Sequence, residues 1–409
     1  MKKHIKIVAG VLALTLVFSG GIAVGRSNFS VTSPVTASAD TYECFSYKVQ
    51  NNEICITACD RDVTDVVIPS EIDSLPVTEI AEYSFRERTN LRSVTIPDSV
   101  KTISRQAFEN CTSLSSVIIP DSVTAVEKYT FAGCTSLEAV TFSNNLTTIG
   151  MGAFENCGSL TSLTFPDSLT AVESSAFSGC KKLTDITFPE NLTDFGMLAF
   201  DDTQWLTEKR AENPIVIVNN VLIDAFECKG SVVIPDGVKK IGGSSFSNTT
   251  KITSVTIPDS VETVGEYAFY QCNGITSVTL PASVNYIGNN AFYDSSSIQV
   301  VTIMNPDCEI FDHPNTLNGL VINGYENSTA QAYAEKYSDK YGCVFVRIGD
   351  PIPDIPVQPT IKKGDVNEDG LIDVVDASII LSYYSYTSTT TDSPVKTLDE
   401  YMNGMADNK

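Results

Sequence analysis

Leu114-Ser115-Ser116-Val117-Ile118-Ile119-Pro120-Asp121-Ser122-Val123-Thr124-Ala125-Val126, followed by Phe131, Ala132 and Cys134, is the stretch that decides the fold. Leu114, Val117 and Ile119 read as a short strand with inward residues at its end. Pro120 cannot donate to a ladder and stops it. Val123, Val126 and Phe131 then line a return side. The unit repeats along the chain. Phe85, Phe108, Phe131, Phe154, Phe177 and Phe200 stand 23 residues apart, as do Phe246, Phe269 and Phe292. Phe200 and Phe246 are 46 residues apart, two periods, so the second series keeps the phase of the first. A fixed period of this size means a solenoid, in which each coil buries its apolar face only against its neighbours. The corner proline recurs at Pro69, Pro97, Pro120, Pro166, Pro189, Pro235, Pro258 and Pro281. Each strand is expected to lie parallel beside its equivalent, forming one long parallel sheet.

The cysteines follow the same period. Cys111, Cys134, Cys157, Cys180 and Cys272 each lie three residues after a repeat phenylalanine. Elsewhere that slot holds Thr203, Thr249, Ser295 or, in the first coil, Arg88. A slot that takes Cys, Thr and Ser suits a small side chain that donates to a buried turn carbonyl. Stacked coils lie about 4.8 Å apart with parallel Cβ vectors, a geometry that opposes disulfides between neighbouring ladder cysteines. The ladder set therefore reads as structural free thiols.

The chain has 409 residues and a net charge of −23. That charge argues against nucleic acid and anionic membrane surfaces as partners. Residues 1–39 read as a secretory signal: Lys2, Lys3 and Lys6, an apolar run, then Ala37-Ser38-Ala39 before Asp40. An uncleaved anchor is the alternative. Residues 40–66 read as a cap, a hairpin turning at Asn51-Asn52. The solenoid is expected over 67–310, with an irregular insertion at 201–230. There Trp205 and the charged run Glu208-Lys209-Arg210 precede two apolar segments around Asn219-Asn220, a second hairpin signal. The insertion is either a spacer or part of a binding face. Residues 311–349 form the second cap, with a helix over 328–341 stopped by Gly342 and a last strand after it. Residues 350–363 hold four prolines and read as a linker.

Residues 364–409 are a separate module. Asp365, Asn367, Asp369, Leu371 (through its carbonyl), Asp373 and Asp376 occupy positions one, three, five, seven, nine and twelve of a calcium loop, with Gly370 at the sharp turn. Calcium is a hard cation that takes six to eight oxygens, so oxygen donors at this spacing indicate Ca2+. The fold class is thus a β-rich solenoid with hairpin and helix/strand caps, plus a small α-helical, EF-hand-like calcium module. No catalytic constellation accompanies it. His313 with Cys308 is conceivable as base and nucleophile, but a lone His beside Pro314 reads as structural. Cys55 and Cys59 could hold a metal only with partners that the sequence does not place.

The repeats, Leu-x-x-Val-x-Ile-Pro-Asp-Ser-Val before Ala-Phe-x-x-Cys, resemble the BspA-like leucine-rich repeats of bacterial surface and secreted proteins over about residues 60–310. That resemblance implies a curved solenoid used in adhesion and protein binding, with no catalytic residues. Residues 364–384 resemble the first half of a type I dockerin, the calcium module that docks onto cohesins in cellulosomes. By that resemblance Val374, Val375, Ser378, Tyr383 and Tyr384 contribute to cohesin contact. A dockerin has two such loops; here Ala406-Asp407-Asn408 resembles only the start of the second. The expectation is a secreted, monomeric, non-enzymatic binding protein, tethered by a cohesin-bearing scaffold and recognising a protein or glycan through its solenoid. The alternatives are a free or surface adhesin and, less favoured, an accessory of polysaccharide degradation.

Overall fold

Every coil opens with a short strand whose middle residue points inward. Ser93–Thr95, Ser116–Ile118 and Ser162–Thr164 alternate exposed, buried, exposed, with Val94, Val117 and Leu163 inside. That is the period-two pattern of a strand with one buried face. Coils stack in parallel and in register one period apart, Val140 beside Val117 and Ile186 beside Leu163. These observations come from a computed structural model, which describes residues 40–350. The segment read as a signal, the expected linker beyond Asp350 and the residues read as a calcium loop and cohesin contact lie outside the described residues.

Two features depart from a single long sheet. The strand face is divided: one ladder runs from Asp65–Val67 to Ala139–Thr141, a second pairs Ser162–Thr164 with Asp185–Thr187, and two more follow the insertion. Three-residue strands share few ladder bonds, so the ladder is easily interrupted, while side-chain packing continues across the break, Phe142 and Phe165 lying 5.5 Å apart. The return side also carries a parallel ladder, of two-residue strands: Ala125–Val126, Thr148–Ile149, Ala171–Val172 and Asp194–Phe195.

The turn between them stacks through backbone bonds. The amide of Phe108 donates to Thr130 O, Phe131 to Ala153 O and Phe154 to Ala176 O, each at 2.8 Å. Two residues after each ladder Phe the backbone is left-handed, from Asn110 (φ 59°) and Gly133 (φ 71°) to Asn156 (φ 60°) and Gly179 (φ 75°). Asn and Gly tolerate that region best, which explains their alternation there.

The phenylalanines form the spine. Rings 108, 131, 154 and 177 stack at 5.3 Å with planes within 11°. The second stack, Phe246, Phe269 and Phe292, repeats this at 5.0 and 5.1 Å. Between the stacks the spine is interrupted. Trp205 packs on Phe200 at 5.4 Å and closes the first stack. Ala225 takes the next rung: its amide donates to Ser245 O, as ladder Phe amides do in other coils. It lies 25 residues after Phe200 and 21 before Phe246, so two unequal coils preserve the phase. The core accordingly divides into two apolar clusters, one ending at Val221 and the other starting at Leu222.

The insertion is a helix followed by a hairpin. Helix α1, Gln204–Glu212, is capped by Thr203, whose Oγ1 accepts from the Leu206 amide at 3.1 Å. Its charged run was not legible as helix because it has no apolar stripe. Val216–Val218 and Val221–Asp224 then pair antiparallel, turning at Asn219 (φ 47°) and Asn220 (φ 64°).

At the N-terminal end, Phe45–Gln50 and Glu53–Cys59 form the expected hairpin, and Phe45 meets Phe85 edge-on at 6.3 Å. At the other end, helix α2, Thr329–Tyr341, begins at the Ser328 cap and stops at left-handed Gly342. Val344–Arg347 then adds to the sheet beside Val321–Gly324.

Candidate binding surface

The outward positions of the strand face form two columns, one residue of each column per coil. The second runs Val67, Thr95, Ile118, Thr141, Thr164 and Thr187, then after the insertion Val233, Thr256, Thr279 and Thr302. All are β-branched. Part of the reason is local, because branched side chains pack well against their neighbours on a pleated surface. Yet this does not require apolar residues facing water, and Val67, Ile118 and Val233 are 69%, 66% and 63% exposed. The first column holds mainly Ser: Ser93, Ser116, Ser162, Ser231, Ser254 and Ser277. Only Asp65 and Asp185 place charge on these two columns, in a chain of net charge −23. The result is a rigid face of methyls and hydroxyls from which most charge has been excluded.

A groove lies on the return side, next to the insertion. It has a volume of about 400 Å³ and is lined by Asp194, Lys240, Glu266, Tyr286, Asn289 and Phe311. Lys240 Nζ and Asp194 Oδ1 pair across it at 2.8 Å. Asn289 Nδ2 donates to Glu266 Oε1 at 3.0 Å, while its Oδ1 is shielded from solvent and accepts nothing.

Residues of the insertion that could have read as ligand contacts are structural. Trp205 is buried between Phe188 and Phe200, both at 5.4 Å. Arg210 holds Asp224 in a two-pronged ion pair, Nε–Oδ1 2.8 Å and Nη2–Oδ2 2.6 Å, which ties α1 to the hairpin. That hydrogen-bonded partner raises the guanidinium pKa. The insertion is a folded bridge between two core clusters.

The ladder thiols meet the turn carbonyls. Cys111 Sγ donates to Phe85 O at 3.0 Å, and Cys134, Cys157 and Cys180 to Phe108, Phe131 and Phe154 O at 3.2 Å. Thr203 and Thr249 reach the carbonyl of their own coil instead, at 2.7 and 2.6 Å. Arg88 fills the slot by donating to Cys59 O at 2.8 Å. Cys343 bonds Leu317 O at 3.2 Å with the same 26-residue separation, which marks Leu317 as a last rung that the phenylalanine series does not show. Burial pushes the Cys111 and Cys180 thiols up to about 12 and holds Cys134 and Cys157 well above the usual range.

Cys308 and His313 do not form a couple. Cys308 is buried, its thiol is pushed up to about 12 by burial, and it donates to Glu309 O at 3.8 Å. His313 Nδ1 accepts from the Asn315 amide at 3.3 Å. Among the described residues no group of three His, Cys, Asp or Glu side chains could hold a metal ion, Cys55 and Cys59 included. Among them, too, no helix is long and apolar enough to cross a membrane.

The family model for the BspA type leucine rich repeat region matches the chain in six copies, over residues 55–180, 101–223 and 224–313. Solved structures are similar to it as well. A leucine rich repeat protein of T. pallidum is 28% identical, covering 41% of this chain and 90% of that one, with a TM-score of 0.35. A leucine rich cell surface protein of Faecalibacterium prausnitzii A2-165 is 24% identical, covering 78% and 97%, with a TM-score of 0.40. One from Bacteroides ovatus is 20% identical over 76% and 99%, with a TM-score of 0.31. No curated protein matches the chain.

Proposed function

We propose, from the premise that this chain belongs to the BspA-type leucine-rich repeat family, that it is a secreted, non-catalytic binding protein. Its solenoid recognises a protein partner through the strand face, and residues 364–409 tether it through calcium to a cohesin-bearing scaffold. The observation that carries the binding role is the pair of outward columns from Val67 to Thr302. They expose branched apolar and hydroxyl side chains on a rigid frame, with two charges among them. Low charge and exposed apolar groups are what the centre of a protein interface needs. The return-side groove favours a second ligand class, a glycan, because the aromatic Tyr286 and Phe311 line it together with the polar Asp194, Glu266 and Asn289.

The tether rests on the oxygen donors Asp365, Asn367, Asp369, Leu371, Asp373 and Asp376. Bound there, calcium would neutralise four mutually repelling aspartates and order the segment bearing Val374, Val375, Ser378, Tyr383 and Tyr384. Two assays test the proposal. The full chain should bind an array of purified extracellular proteins or oligosaccharides, and Ile118→Lys with Thr164→Lys should abolish a protein contact without lowering the melting temperature. Turnover of any polysaccharide would overturn the non-catalytic reading.

A further inference from the structure

We propose that Cys44 and Cys59 form a disulfide that locks the outermost turn of the N-terminal cap to the cap strand lying against the first coil. Their sulfurs stand 3.7 Å apart and share a hydrogen bond. Cys44 sits in the tight turn that joins Asp40–Tyr42 to Phe45–Gln50, beside Glu43 at φ 52°. Cys59 ends the facing strand, and the Asp60 amide donates to Cys44 O at 2.9 Å, so the two backbones are already held together. Closing the remaining gap between the sulfurs to a bond of about 2.05 Å asks for side-chain rotation rather than a new fold.

The ladder cysteines are placed differently. Each donates its thiol to a turn carbonyl of the neighbouring coil, at 3.0 Å for Cys111 and 3.2 Å for Cys134, Cys157 and Cys180. Cys44 and Cys59 belong to antiparallel elements of a hairpin, where the objection from parallel Cβ vectors does not apply.

The position gives the bond a purpose. Cys59 is anchored to the first coil at both backbone atoms: its amide donates to Ser84 O at 3.0 Å, and its carbonyl accepts from Arg88 Nε at 2.8 Å. Arg88 stands in the slot that holds Cys in later coils. A Cys44–Cys59 bond would therefore fasten the outermost turn of the cap to the strand end that is itself hydrogen-bonded to the first coil. That turn leads directly into Phe45, the buried ring that meets Phe85 at the end of the phenylalanine stack. An exported protein meets disulfide oxidants, which fits the secreted reading without depending on it.

The step needs an oxidant, and a small disulfide such as oxidised glutathione supplies it. The Cys44 thiolate attacks one sulfur of that disulfide and expels a thiolate, leaving a mixed disulfide. Cys59, deprotonated in turn, attacks Cys44 Sγ and expels the second thiolate. The protein becomes two hydrogens lighter, and its two protons end on the two small thiols released. Burial raises both thiol pKa values, so exchange should be fast while the cap forms and slow once it has closed.

The test equilibrates the full chain with oxidised glutathione, alkylates residual thiols and maps peptides by mass. The expected product is one cross-linked peptide joining Cys44 to Cys59, with the ladder cysteines alkylated only after denaturation. Amide exchange over residues 42–59 should slow by about tenfold or more relative to the reduced protein. Cys44→Ser, which changes a half-buried thiol, should fold, exchange like the reduced parent and ignore the oxidant. The proposal is overturned if Cys44 is still alkylated after oxidation, if cross-linking leaves exchange unchanged, or if Cys44→Ser still responds.

Discussion

Phe154→Ala removes a ring from the middle of the first stack. Phe154 is fully buried, lies 5.3 Å from both Phe131 and Phe177, and takes an edge contact from Phe142 at 5.8 Å. Truncating a buried Phe to Ala costs about 3–5 kcal/mol through lost transfer energy and the cavity left behind. The upper half of that range applies, because two stacked pairs worth about 0.5–1.5 kcal/mol each are lost and the flanking coils cannot close without breaking their backbone bonds. With a urea slope of about 1–3 kcal/mol per molar, the midpoint should fall by more than 1 M, roughly. Trp205 offers a local probe, since it packs on Phe200 at the end of the same stack. Its fluorescence midpoint should drop, while a far-ultraviolet dichroism component from the Phe246–Phe292 stack keeps its own midpoint. An unchanged fluorescence midpoint would refute the stacked spine, and equal shifts in both probes would refute its division at the insertion.

Other outcomes follow from the same contacts. The buried ladder thiols have pKa values above those of the unfolded chain, so they stabilise the fold fully below about pH 8.5 and less as pH rises towards 12. Alkaline melting should therefore be steep, and Cys134→Thr with Cys157→Thr should flatten it, as Thr occupies that slot at Thr203 and Thr249. Asp224→Asn removes the charge that Arg210 grips and should cost about 1–3 kcal/mol, read by Trp205 fluorescence, with Arg210→Met no worse. Asp369→Ala should abolish calcium binding in titration calorimetry and leave the solenoid's melting unchanged, because four prolines in residues 350–363 separate loop from coils.

The coil was legible because one residue type recurs at one spacing, and the ring stack and the thiol slot followed from it, while both hairpins were legible from their Asn-Asn turns. Short-range features escaped. The return ladder has two-residue strands, too short to show alternation in sequence. Helix α1 carries Glu208, Lys209 and Arg210 with only Trp205 and Leu206 buried, so it lacks a helical apolar period. Ala225 and Leu317 replace ring rungs with smaller side chains at spacings of 25 residues, so the period alone misses them. Trp205 and Arg210 drew notice by composition, and the structure gives both packing roles. The outward columns stand in the sequence, as Ser116 and Ile118 do in one coil, but their meaning depends on exposure, which periodicity does not report.

Calcium-dependent cohesin binding by the full chain tests the account most directly, with an immobilised type I cohesin and the chain titrated over it in calcium and then in chelator. The account predicts saturable binding in calcium that disappears in chelator and in Asp369→Ala, with the solenoid folded throughout by circular dichroism. No binding in calcium, or binding that persists in chelator, would contradict it.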